Sequence, residues 1–189
     1  LDFMGVPILY TPWISFPVGD EPKSGLLFPT IGSSSRTGTQ VAVPWYWHIA
    51  PNYDATFTPR YMSSRGLRLD TEFRYLTERS RGALNAEYLH DDRETGDQRS
   101  LVDLQNVTHL EPRTRLLVDA ANASDSNYFE DFGLGFEGTS VTFLNRLGEA
   151  RRDTSHWSLV GRVQDYQVLD QTLPEEERRK GQSSCPGRT

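Results

Sequence analysis

Alternation of apolar and polar residues with a period of two is the feature that most constrains how this chain folds. It is sharpest between residues 39 and 50, where the polar or small residues fall on even positions. A period of two places successive side chains on opposite faces of a β-strand, whereas a helix requires a period of 3.6. The pattern therefore predicts a strand whose apolar face is formed by Val41, Val43, Trp45, Trp47 and Ile49.

The same alternation recurs along most of the chain. It predicts strands over 53–61, 67–75 and 82–88, and more weakly over 101–109, 114–123, 140–145 and 157–169. Short connectors separate the first segments, and tight links join antiparallel neighbours. The sequence thus predicts an all-β fold, an antiparallel meander of eight or nine strands.

Composition excludes several classes of protein. Hydrophobic residues make up 36% of the 189 residues, and no apolar run approaches the ~20 residues of a membrane-spanning helix. The net charge of −6 argues against a nucleic-acid partner. The single cysteine, Cys185, forms no internal disulfide, and the chain has no Cys/His cluster with zinc spacing. We expect no cofactor and no metal.

Strand length separates two all-β classes. Strands of soluble sandwiches commonly run ~5 or 6 residues, whereas tilted transmembrane strands need ~9 to 11, as here. Aromatic residues near segment ends, such as Trp47, Tyr53, Tyr61 and Tyr75, are typical of the interfacial girdles of outer-membrane barrels. We interpret the chain as part of a transmembrane β-barrel, although a soluble β-sandwich with a dry core remains an alternative.

In the barrel interpretation the two faces of the sheet meet different solvents. We predict that the apolar face contacts lipid through Val41, Val43, Trp45, Trp47, Phe57 and Phe73. We predict that the polar face lines a wet lumen through Arg60, Arg68, Asp70, Glu72 and Arg74.

Acidic residues at and beyond the end of the strand predicted over 82–88 do not form a recognisable catalytic pair. Glu87, Asp91 and Asp92 lack the defined spacing of a glycosidase, so we interpret them as ordinary acids near turns. Asp125 and Asp131 fall in a loop rich in Asp, Asn and Ser, and we expect no calcium site there. The chain is therefore not expected to be an enzyme.

The two ends of the sequence differ from the strand region. Residues 1–22 form an apolar run kinked by prolines, which suits the last strand of a preceding domain and a linker. Residues 174–189 are charged and then rich in turn-forming residues, and we expect them to be disordered. The predicted organisation is thus 1–22, 23–173 and 174–189.

Many short motifs, in order, resemble one family. They include Leu9-Tyr10-x-Pro12, Phe16-Pro17, Ser24-Gly25-Leu26-Leu27-Phe28-Pro29, Pro44-Trp45-Tyr46-Trp47, Thr58-Pro59-Arg60-Tyr61-Met62, Glu72-Phe73-Arg74-Tyr75-Leu76 and Ser124-Asp125-x-x-Tyr128-Phe129-x-Asp131-Phe132. Over roughly residues 5 to 173 the chain resembles the LptD family of Gram-negative lipopolysaccharide-assembly proteins. The resemblance implies that 1–22 ends a periplasmic β-jellyroll domain and that 23–173 supplies the first strands of an outer-membrane barrel of about 26 strands.

The resemblance also implies a function and partners. Lipopolysaccharide would pass into the outer leaflet through a lateral gate between the first and last barrel strands, with Pro29 and Pro44 weakening that seam. The lumen residues named above, among them Arg60 and Arg68, would be possible lipopolysaccharide contacts. Implied partners are the plug lipoprotein LptE and, through an upstream domain, the periplasmic bridge protein LptA. Alternatives are a soluble β-sheet module that binds glycans and a fragment of a general porin.

Overall fold

The structure, a computed structural model, describes residues 2–3, 6–7, 23–111, 113–132 and 143–169. Most of the predicted jellyroll end at 1–22 and all of the predicted tail at 174–189 lie outside the described residues. Within the first of these, β1 (Asp2–Phe3) pairs antiparallel with β2 (Val6–Pro7).

One antiparallel sheet of eleven strands makes up the remainder, which confirms the all-β meander. Its strands run in chain order: β3 (Gly25–Leu26), β4 (Thr30–Ser34), β5 (Gly38–Ala42), β6 (Trp45–Ala50), β7 (Tyr53–Met62), β8 (Gly66–Leu76), β9 (Ser80–Leu89), β10 (Arg99–Glu111), β11 (Thr114–Ala123), β12 (Phe143–Asp153) and β13 (Ser158–Val168). A short helix, α1 (Tyr128–Phe132), follows β11. The sheet is open, with β4 at one edge and β13 at the other.

Two predicted strands differ from the observed ones. The segment predicted over 39–50 is divided into β5 and β6, and the strand predicted over 140–145 is instead β12, which begins at Phe143 and continues to Asp153. The prediction for β12 is too short because the second half of this strand holds Arg151 and Arg152, whose charges hide the alternation. Backbone pairing with β11 and β13 nevertheless continues through both arginines.

The connections have unequal lengths at the two ends of the sheet. At one end lie the connections 51–52, 77–79 and 154–157 and the link from β10 to β11, and at the other lie 35–37, 63–65, 90–98 and the start and finish of the link from β11 to β12, which contains α1. We call the second the long-loop end. No helix within the described ranges is long and apolar enough to cross a membrane.

The buried core is small and lies at the long-loop end, because most of the described sheet is a single layer. There α1 packs Tyr128 and Phe132 against one face of the sheet, together with Met62, Leu89 and Leu144. We call the face that carries α1 the inner face and the opposite one the outer face.

Gly38 fixes the junction between two neighbouring turns at the long-loop end. Its φ is +70°, a conformation that side chains of L-residues rarely adopt. A Cβ atom there would also lie 2.1 Å from the Ser63 hydroxyl oxygen and 2.7 Å from that of Ser64. Gly38 therefore lets β5 begin in contact with the turn at 63–65.

We predict that Gly38→Ala destabilises the folded protein by about 1–2 kcal/mol, because the substitution combines backbone strain with a steric clash. Gly148→Ala is the matched control, since Gly148 lies in β12, has no positive φ, and has no atom within 4 Å of the place that an added methyl carbon would occupy. Thermal unfolding in detergent measures both, and equal midpoints for the two variants would contradict this account.

Candidate functional site

The first hairpin, residues 25–50, differs from the rest of the sheet because each of its two strands is interrupted. β3 pairs with β6 and β4 pairs with β5, so each strand of the hairpin consists of two short pieces. From β7 onward the described strands run for 10 to 13 residues. The interruptions fall at Pro29 and Pro44, the two residues that the sequence predicts to weaken this edge.

Pro44 removes one hydrogen bond between the two strands of the hairpin. The Leu27 N–H donates to the Pro44 carbonyl at 2.8 Å. In an antiparallel ladder such a pair normally exchanges two hydrogen bonds, but proline has no N–H to return the second. The pair Leu27–Pro44 is therefore held by half of the usual bonding.

Pro29 lies in a β-bulge. Leu27 and Thr30 are three residues apart, whereas their partners Pro44 and Ala42 are only two apart, so two residues of the first strand together oppose Val43. A bulge interrupts the ladder and bends the strand. The extra residue also changes the parity of the strand, which brings the side chains of Leu26 and Ile31 to the outer face, where they are exposed together with that of Phe28.

The inner face carries all five residues that the sequence predicts to line a lumen. Arg68 contacts the carboxylates of Asp70 and Glu87, each at 2.6 Å, and the same Asp70 accepts a hydrogen bond from Arg60 at 3.0 Å. Arg74 pairs with Asp54 at 2.8 Å and lies 3.8 Å from Glu72. The charges therefore neutralise one another locally along the wall.

The outer face carries the six residues that the sequence predicts to contact lipid. Val41, Val43, Trp45 and Trp47 are each between 36% and 43% exposed, although all are apolar. Phe57 lies beside both tryptophans, with its ring centroid 5.9 Å from that of Trp45. Phe73 packs in the same way between Tyr53 and Tyr75. An apolar surface of this extent, uncovered by any described element, is uncommon on a water-soluble monomer.

Three arginines surround the ring of Phe132, the last residue of α1. The guanidinium carbons of Arg65, Arg68 and Arg99 lie 5.1 to 5.5 Å from the centre of this ring, within the range of cation–π attraction. We call these three residues the arginine cluster. They come from three different strands or turns, so they tie α1 to the wall between β8 and β10.

Acidic partners neutralise the arginine cluster. Asp92 is fully buried and accepts hydrogen bonds from Arg65 at 2.9 Å and from Arg99 at 3.2 Å. Asp131 of α1 pairs with the same two arginines at 2.9 and 3.0 Å. Asp125 pairs with Arg99 at 2.6 Å. Asp92 and Asp125 lie in loops and Asp131 lies in α1, and all three are partners of buried arginines, a role that the sequence pattern did not predict.

Tyr128 connects α1 to the charged residues of the inner face. Its hydroxyl donates to Glu87 at 2.7 Å, and Arg68 lies within 3.5 Å of the same oxygen. Burial raises the pKa of Tyr128 well above its ordinary value, so the hydroxyl keeps its proton and remains a donor. Glu87, which belongs to the strand predicted over 82–88, lies within β9 and faces inward.

A cavity of about 320 Å³ lies between α1 and the inner face. Its lining combines polar groups from Gln40, Arg60 and Asp70 with the apolar side chains of Met62 and Phe129. Among the described residues, no group of three or more acidic, histidine or cysteine side chains is arranged to hold a metal ion.

We predict that Asp92→Asn destabilises the long-loop end by about 1.5–3 kcal/mol, because it removes a fully buried carboxylate from Arg65 and Arg99 and leaves them with acidic partners that are more exposed. Asp153→Asn is the control, since its pair with Arg151 is about half exposed and should contribute little. Proteolysis within 124–142, followed against time, reports the loss of α1 docking. Equal protection of the two variants would contradict the prediction.

Comparison with known proteins adds sequence relatives to this geometry. Residues 1–111 match the family described as LptD protein, and residues 97–181 match the family described as LPS transport system D. The LPS-assembly protein LptD of Thiobacillus denitrificans is 46% identical over 169 residues, which cover 89% of this chain and 23% of that protein. Its counterpart in Alkalilimnicola ehrlichii is 43% identical over 178 residues, which cover 94% of this chain and 24% of that protein. This chain therefore spans about a quarter of the length of the curated relatives it matches.

Proposed function

This chain belongs to the LptD family, and on that premise we propose that it forms the first strands of an outer-membrane barrel that delivers lipopolysaccharide to the outer leaflet. The proposal assigns residues 23–173 to the barrel wall and 1–22 to the end of a periplasmic jellyroll domain. The transported lipid would cross without any covalent change.

One observation carries the membrane part of this proposal. A single continuous sheet has an uncovered apolar outer face and an ion-paired inner face, and a bilayer on one side with water on the other satisfies both. A soluble glycan-binding module would need a second layer to cover Val41, Val43 and Trp45, and no described element covers them. The long-loop end would face outward, because outer-membrane barrels keep their short turns on the periplasmic side.

We predict that Val43→Lys weakens membrane insertion of the full-length protein by about 2–4 kcal/mol, the cost of a lysine near the bilayer midplane. Thr56→Lys is the control, because Thr56 is on the inner face opposite Glu72 and the new charge would meet water and a carboxylate. Folding into lipid vesicles, followed by resistance to heat in gel electrophoresis, compares them. If both lysines have the same effect, the assignment of the faces is wrong.

The lateral gate in this proposal is the seam between the first hairpin and the last strand of the complete barrel. Pro29 and Pro44 support it because the strand at this edge is bulged, interrupted and attached to its neighbour by few pairs. Each missing ladder bond is worth roughly 1 kcal/mol in water and more in lipid. The acyl chains would leave sideways through this weak seam.

The inner face would guide the sugar portion of the lipid. Arg60, Arg68 and Arg74 can donate paired hydrogen bonds to phosphate or hydroxyl oxygens, and their present carboxylate partners keep the wall hydrated. Exchange of one oxygen partner for another lets the lipid slide without a deep binding site. In the complete protein a plug lipoprotein, LptE, would occupy the lumen, and the bridge protein LptA would dock on the upstream domain.

We predict that Pro44→Ala slows lipopolysaccharide delivery by full-length protein in proteoliposomes about fivefold, the effect of one added hydrogen bond of about 1 kcal/mol. The alanine N–H would donate the missing bond to the Leu27 carbonyl and stabilise the closed seam. Pro51→Ala, in the turn at 51–52, is the control outside the ladder. Delivery that is unchanged in Pro44→Ala would refute the gate, and no delivery by the unmodified protein would refute the proposed function.

A further inference from the structure

A third proline, Pro59, lies at the same level of the sheet as the two interruptions. β5 and β6 pair with β7 in a single register, in which Ala42 lies opposite Arg60 and Trp45 lies opposite Phe57. This register places Val43 opposite Pro59, and the Val43 N–H donates to the Pro59 carbonyl at 3.2 Å. Pro59 has no N–H to return the second bond of this pair.

The direction of each missing bond follows from the ladder. In an antiparallel sheet, the N–H and carbonyl of one residue point to the same neighbouring strand, and the next residue points to the other. Pro44 therefore lacks its donor toward the β3–β4 strand, and Pro59 lacks its donor toward the β5–β6 strand. Both missing donors face the open edge.

The pairing on the other side of β7, toward β8, is not interrupted. β7 and β8 form ten consecutive pairs, from Tyr53 opposite Tyr75 to Met62 opposite Gly66, without a shift in register. The weakness thus ends at β7, which makes β7 the last firmly bonded strand next to the first hairpin.

Edge protection explains Pro29 but does not explain Pro59. Prolines discourage unwanted pairing when they lie on an edge strand, and within interior strands they are avoided because they break a ladder. β7 is an interior strand, bonded to the first hairpin on one side and to β8 on the other. A proline that costs a bond in this place calls for another reason.

Contacts on either side of Pro59 hold the hairpin to β7. Toward the long-loop end, Ser63 and Ser64 donate backbone hydrogen bonds to Thr39 and Thr37 at 2.9 and 3.2 Å. Toward the other end, Trp45 stacks on Phe57 at 5.9 Å across the same two strands. The hairpin is therefore attached to β7 on both sides of the Val43–Pro59 pair, in which one of the two usual hydrogen bonds is missing.

We propose that Pro59 is a third positioning residue of the gate and that the first hairpin bends at Val43 and Pro44 against a fixed β7. This inference rests on the proposed function and deepens it. Bending at this level lets the two halves of the hairpin, β3 with β6 and β4 with β5, tilt relative to each other while each half keeps its pairs to β7. The seam then opens without unzipping either strand over its full length.

Hydrogen exchange of the full-length protein in lipid nanodiscs tests the hinge directly. In the unmodified protein, the amides of Leu27 and Val43 should exchange at least about tenfold faster than those in the centre of β8. Pro59→Ala supplies the missing donor and should slow exchange at Val43 about fivefold, the effect of one hydrogen bond. Slow exchange at Val43 before the substitution, or no change after it, would overturn the proposal.

Lipopolysaccharide delivery in proteoliposomes made from the same protein gives the second readout. Pro59→Ala should slow delivery about as much as Pro44→Ala, and Pro51→Ala should not. Pro59→Val also supplies an N–H and should behave like Pro59→Ala. Agreement between the two variants would assign the effect to the restored N–H donor and not to the size of the side chain. Normal delivery in both Pro59 variants, or failure of both to assemble while Pro51→Ala assembles, would overturn the hinge. Absence of delivery by the unmodified protein would overturn the proposed function and leave the exchange test in place.

Discussion

A backbone N–H that points between two strands of a sheet needs an acceptor on the neighbouring strand, because water does not enter that space. From β7 to β13 the sheet meets this requirement over long strands with ten or more consecutive pairs in several ladders. The first hairpin does not, since prolines remove donors at one level and a bulge interrupts the pairing beside them. The contrast between a rigid wall and a weakened edge follows from this one requirement.

The faces of the sheet were predictable from the sequence, and so was its antiparallel order. Alternation with a period of two separates Val41 from Gln40 without any knowledge of neighbouring strands, and tight turns at 51–52 and 63–65 leave antiparallel pairing as the simple solution. The six apolar and five charged residues predicted to lie on opposite faces do lie on opposite faces. Which liquid touches each face is a matter of the proposed function.

The interruption of the second strand was not predictable from alternation. Val43 and Pro44 keep the pattern of side chains intact, because that pattern does not register whether a backbone carries an N–H. Pro44 marks one missing bond in the sequence itself, but the second becomes visible only when the register places Pro59 opposite Val43. Tertiary pairing, rather than local propensity, decides where this strand is weak.

The arginine cluster was missed for a different reason. Asp92 and Arg65 are 27 residues apart, and Tyr128 and Arg68 are 60 apart, so no local motif joins them. In sequence, Asp92 is one acid among several near a turn and α1 is a short stretch inside a loop. The only signal in the sequence was the composition of Tyr128–Phe132, in which aromatic residues flank two acids. In the structure this segment faces strands whose arginines point inward.

The bulge at Phe28 and Pro29 restricts how the first strand can vary in length. Leu26 and Ile31 point to the same side only because an odd number of residues has been added between two blocks of the strand. Losing one residue there would turn Leu26 and its neighbours toward the inner face, whereas losing or gaining two would leave their orientation unchanged. An insertion or deletion of an even number of residues in this stretch therefore keeps each side chain on its face, whereas an odd number reverses the faces. Related chains should accordingly differ in length here by two residues at a time.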